Sequence, residues 1–129
     1  MFTIEEIKRA HSQVKSGADF PAYIQAIKRL GVVSYEAFVS DGHIDYCGAE
    51  GYRATAAAKY ETLSIAQTTD SEQFKALLQA HQQGKTDYLT FCKDCAKTGI
   101  EKWVVCLQTM TCTYFDHTGT EILVEKIPE

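Results

Sequence analysis

The chain has 129 residues, enough for one domain around a single core. Its 45% hydrophobic and 23% charged residues give an ordinary globular composition and exclude a disordered chain. A net charge of −4, with no concentration of Lys and Arg, argues against nucleic acid as a partner, and no apolar run approaches the roughly 20 residues that span a bilayer.

In chain order, Thr3 with Glu6 matches a capping box, and Ile4, Ile7, Ala10, His11 and Val14 follow as a helical stripe. Ser16-Gly17-Ala18 breaks it. Asp19 then caps a second helix, with Pro21 in its first turn and Phe20, Tyr23, Ile24, Ile27 and Leu30 on one face. Gly31 supplies the left-handed stop. Beyond it the period changes to two: Val32 to Val39 reads as a strand, Asp41-Gly42 as a tight turn, and His43 to Cys47 as the return strand.

The second half repeats this plan. Asp70 with Gln73 opens a helix carrying Phe74, Leu77, Leu78 and His81; Gly84 breaks it; Asp87 opens another with Tyr88, Phe91, Cys92 and Cys95, which Gly99 ends. A hairpin follows, Ile100 to Gln108 and Thr111 to Phe115, and a last strand runs from about Glu121 to Ile127. Its counterpart in the first half is expected within Lys59 to Ile65, the Ala-rich stretch before it being unassigned.

A 68-residue shift carries Asp19 onto Asp87, Gly31 onto Gly99, Tyr46 onto Tyr114 and Gly51 onto Gly119. The chain therefore reads as one domain, 1–129, with an internal duplication into halves of about 1–66 and 67–129. The expected fold class is α+β: two pseudo-repeated halves, each helix-helix-strand-strand-strand, forming one antiparallel sheet with the helices on one face.

Each half also serves as a control for the other. Cys92-Lys93-Asp94-Cys95 resembles a redox pair or half a zinc site, yet Cys92 and Cys95 match Ile24 and Ile27. Likewise Cys106 matches Phe38, Cys112 matches Ile44, and Cys47 matches Phe115. All five cysteines are therefore expected to fill core positions, with no metal and no cofactor. The odd cysteine number, and a start lacking the basic region and apolar stretch of a secretory signal, fit reduced thiols in a cytoplasmic protein.

Two places carry polar side chains of interest. Alternation puts His43 and Asp45 on one sheet face, with Thr111 and Thr113 at the corresponding positions of the sister strand. With Glu36 on the neighbouring strand, these five could line a shallow polar groove if helices leave that face uncovered. A solvated sheet face is the plainer reading. The second place is the loop from His81 to Asp87, where the two side chains could meet as base and orienting carboxylate. Here the plainer reading is a hydrogen-bonded boundary histidine and a helix cap. Neither a nucleophile elbow nor a phosphate loop occurs, so no catalytic residue is assigned.

The stretches 14–21, 81–88 and 110–114 resemble, over essentially the whole chain, a small bacterial and prophage-borne family of unknown function, sometimes labelled "phage envelope protein". That resemblance implies association with prophage or other mobile elements and brings no catalytic residues to transfer. The expected function is a small non-catalytic cytoplasmic binding or interaction protein, a monomer or small homo-oligomer, with a protein or small molecule as partner. The alternatives are a hydrolase-like enzyme using His81/Asp87 or His43/Asp45, and a virion structural component.

Overall fold

A computed structural model describes residues 1–14 and 19–128; the break read at Ser16-Gly17-Ala18 lies outside them. Four helices and six strands follow each other in two like runs. The first is α1 (Ile4–His11), α2 (Phe20–Leu30), β1 (Val32–Phe38), β2 (Ile44–Gly48) and β3 (Arg53–Ala56). The second is α3 (Ser71–Gln82), α4 (Tyr88–Lys97), β4 (Ile100–Cys106), β5 (Thr111–Asp116) and β6 (Glu121–Lys126). The strands form one antiparallel sheet, ordered β3-β2-β1-β4-β5-β6, so the chain adopts the expected α+β fold.

Local chemistry sets the helix ends. Thr3 and Glu6 close a reciprocal capping box on α1, and the carboxylates of Asp70 and Asp87 accept from the backbone N–H groups of Gln73 and Thr90. Asp19 holds the corresponding place on α2 without a side-chain capping bond, and Pro21 lies in that helix's first turn, where its missing N–H costs nothing. Gly31 ends α2 at φ 108°. The β4–β5 turn contains no glycine, and Met110 takes the left-handed conformation at φ 54°.

The two halves meet at β1 and β4, where Ser34 pairs with Cys106, Glu36 with Val104 and Phe38 with Lys102. The 68-residue shift turns Ser34 into Lys102, Glu36 into Val104 and Phe38 into Cys106. The pairing thus maps onto itself, with Glu36·Val104 on a local two-fold axis. Both helical hairpins lie on the same side: Tyr23 contacts His11 and Phe20 above the sheet, Tyr88 and Phe91 meet Trp103, and Phe74 meets Tyr114. Tyr35, Ala37, Ile44, Tyr46, Trp103, Val105, Cys112 and Tyr114 form the buried sheet face beneath.

The third strand of the first half differs in place from the sequence expectation. It is Arg53–Ala56, within the unassigned stretch, whereas residues 57–70 contain neither helix nor strand. Packing explains the difference. Ala54 and Ala56 face the helices, where α1 lies over β3, so this strand lacks the large apolar residues, Ile122, Leu123 and Val124, that mark β6. Tyr60, Leu63 and Ile65 instead pack on the core from the connection. That connection is tied to the β1–β2 turn through Lys59 N–H and Leu63 N–H, which donate to the carbonyls of Asp41 and Ser40.

The connection then passes tightly by Gly99, where a Cβ would lie 2.9 Å from both Thr68 O and Thr69 Cα, at φ +91°. Gly119 has φ +85° but open space around it. Gly119→Ala is therefore expected to cost about 1 kcal/mol of left-handed strain, and Gly99→Ala about 3 kcal/mol through strain plus overpacking. Urea unfolding of the two variants measures the gap. A difference below about 1 kcal/mol would mean that the Thr68-Thr69 backbone yields.

Candidate functional site

The sheet face opposite the helices carries most of the nominated polar residues. Strand register aligns Thr55, Asp45, Glu36, Val104, Thr113 and Val124 in one row across all six strands, and Arg53, Cys47, Ser34, Cys106, Thr111 and Lys126 in the next. Glu36, Asp45, Thr111 and Thr113 therefore share the helix-free face. His43 precedes β2, and its ring stacks on Phe38, also of this face, at 4.3 Å and 7°.

Each nominated charged group here already has a partner. Glu36 Oε2 accepts from Lys102 Nζ at 2.6 Å, and Asp45 Oδ1 accepts from the Thr55 hydroxyl at 2.7 Å. His43 pairs with Asp41 rather than Asp45: its Nδ1 lies 2.6 Å from Asp41 Oδ1, and its backbone N–H donates to the same oxygen. That backbone bond, followed by the ring contact, holds the Asp41 carboxyl below its usual range.

Between these groups the face is apolar. Phe38, Val104 and Phe115 are half-buried, Val124 is 51% exposed, and Lys102 Nζ stands 5.8 and 5.5 Å from the ring centroids of Phe38 and Phe115. The bond to Glu36 sets Lys102 at the centre of the face. Alternation along β1 places Phe38 beside Glu36. Its meeting with Phe115 depends on the β1–β4–β5 order, which no local pattern encodes.

At the second place, His81 and Asp87 have separate partners. His81 Nδ1 is 3.1 Å from both the carbonyl and the hydroxyl oxygen of Thr86, and the ring stacks on Phe91 at 4.4 Å. Asp87 Oδ1 accepts from Thr90 N–H at 2.8 Å as the cap of α4. Thr90 holds the Asp87 carboxyl below its usual range, while burial lowers the His81 pKa against an upward pull from Thr86 and Asp87. These are the positions of a packed histidine and a helix cap.

The cysteines divide into two sets. Cys92, Cys95 and Cys112 are buried on the helix side, and burial pushes all three thiols up. Cys47 and Cys106 depart from the core-filling expectation: they lie partly exposed on the helix-free face. The reason is that their sister residues, Phe115 and Phe38, are themselves on that face. Hydrogen bonding from the Thr109 hydroxyl lowers the Cys106 thiol. Among the described residues no three His, Cys, Asp or Glu side chains are grouped to hold a metal ion.

Fold and surface define a class: an α+β protein of two like halves whose single sheet is clad by helices on one side. The chain belongs to the family described as Protein of unknown function (DUF1398), whose model matches residues 8–126. Comparison with curated proteins gives no match.

Two measurements check this geometry. In the native protein, a thiol reagent is expected to modify Cys47 and Cys106 within minutes and the other three thiols only on unfolding; rapid reaction of Cys92 or Cys95 would contradict the packing. The second is pH dependence. The folded-state pKa of His81 lies below its ordinary 6.5, so the unfolded chain binds the proton more readily. Its contribution to stability is therefore complete above pH 6.5 and is lost as pH falls below it. His11, lowered by burial, acts in the same sense. Thermal unfolding followed from about pH 7.5 to 5 should show a falling Tm, and His81→Leu, which keeps the packing on Phe91, should flatten that slope. Equal slopes would remove His81 from the account.

Proposed function

We propose that the protein is a small non-catalytic binding or interaction protein that docks another protein on its helix-free sheet face. One observation carries the reading. An uncovered face of an antiparallel sheet is ordinarily polar, whereas this one sets Phe38, Val104, Phe115 and Val124 around the Lys102–Glu36 pair. An apolar centre with a charged anchor and a polar rim of Asp45, Thr55, Thr111 and Thr113 is the composition of a docking surface. The hydrolase-like reading has less support, because His43 and His81 engage Asp41 and Thr86 in place of Asp45 and Asp87. A cytoplasmic setting, which rests on the reduced cysteines, and carriage by prophage or other mobile elements, which rests on the sequence resemblance, belong to the same proposal.

The test compares proteins cross-linked in cells to the wild type and to Val104→Lys and Val124→Lys, substitutions on strand positions that leave the helix side untouched. The expected result is at least one partner whose recovery falls about tenfold or more in both variants, with unfolding midpoints unchanged. Identical captured sets would sink the docking reading. An ester or phosphate hydrolysis activity abolished by His81→Ala would replace it with the enzyme.

A further inference from the structure

On the opposite side of the molecule, α1 and α2 border a shallow, open groove of about 390 Å³. Ala10, Ala26 and Leu30 contribute apolar surface to it, and Arg9 and Arg29 reach it from the two helices. We infer that this groove docks an acidic amphipathic helix of a partner protein, its apolar stripe on the alanines and its carboxylates on the two arginines.

Charge is the first argument. The chain has three arginines, Arg9, Arg29 and Arg53, and two of them line this one groove although the net charge is −4. The groove's acidic residue, Glu6, is already engaged: its Oε1 accepts from Thr3 N–H at 3.0 Å and from the Thr3 hydroxyl at 3.2 Å. Among the described residues the ion pairs are His43–Asp41 and Lys102–Glu36, so both guanidinium groups keep their forks open to incoming carboxylates.

Shape is the second argument. Alanines on both helices let an incoming backbone approach closely, and a groove between two helices accepts a third by its apolar stripe. The duplication supplies a third. Aligned on their caps Thr3 and Asp70, α1 and α3 set Ala76 against Arg9, while α4 has Asp94 where α2 has Ala26 and keeps a basic residue, Lys97, where α2 has Arg29. The pair of arginines is therefore a feature of one half alone, and the fold does not require it. The apolar floor favours a helix over a nucleic-acid backbone, which would need a wider basic surface.

The experiment titrates the full-length 15N-labelled protein with a synthetic helix-forming peptide whose Leu/Ala stripe is flanked by Glu. The same peptide with every Glu replaced by Gln, and a single-stranded oligonucleotide, complete the probes. The Glu peptide is expected to shift amide signals of residues 6–13 and 26–30. Arg9→Glu and Arg29→Glu should each weaken its binding about tenfold or more, with unfolding midpoints unchanged because both side chains are exposed. The Gln peptide should bind the wild type correspondingly weakly. Equal affinity for the Glu and Gln peptides, or shifts confined to other residues, would overturn the inference. So would oligonucleotide binding that matches the Glu peptide and is lost in both variants.

Discussion

Everything in this fold is placed by the antiparallel pairing of β1 with β4. Each half by itself would be a three-stranded meander with β1 or β4 as an edge, its backbone N–H and C=O groups unpaired. Joining the two edges satisfies those groups and yields a six-stranded sheet. A one-residue slip would send Tyr35, Ala37, Trp103 and Val105 to the wrong face. The buried contacts of Trp103 with Tyr88, Phe91 and Tyr114 therefore enforce the register.

That register is also the symmetric one, with Glu36 opposite its own sister, Val104. It is the arrangement an isologous dimer of the half would adopt, now within a single chain. The symmetry explains why both helical hairpins fall on the same side: a two-fold axis normal to the sheet cannot exchange its faces. One face is thus buried twice over and the other left bare. The bare face is a consequence of how the halves join, and its residues are free to diverge without disturbing the core.

How much of this the sequence discloses depends on the range of the forces involved. Caps and breaks at Thr3, Asp70, Asp87, Gly31 and Gly99 are written in a few adjacent residues and are readable directly. The α+β class and the two faces of each hairpin follow from periodicity. β3 escapes because Ala54 and Ala56 owe their small size to α1 passing over them, a tertiary cause. The exposure of Cys47 and Cys106 escapes for a related reason. A match to a phenylalanine in the sister half predicts burial only where that phenylalanine is itself in the core, and Phe115 and Phe38 are not. Of the nominated polar residues, Glu36, Asp45, Thr111 and Thr113 are placed on one sheet face by alternation alone, whereas the partners of His43 and His81 turn on loop geometry at Asp41 and Thr86.

Where two copies share a fold, the differences between them carry more information than the likenesses. On the helix-free face, the row Phe38, Lys102, Phe115 is the two-fold image of Cys106, Ser34, Cys47. One side of the axis is aromatic and cationic, the other thiol and hydroxyl. Stability alone gives little reason for this, since side chains on an uncovered face contribute modestly and either set would suit a solvated sheet. The same asymmetry recurs at the helix surface, where Arg9 stands against Ala76. The repeated scaffold keeps its core equivalent while polarising both outer surfaces, so the two-fold is retained where packing demands it and abandoned where the side chains meet solvent.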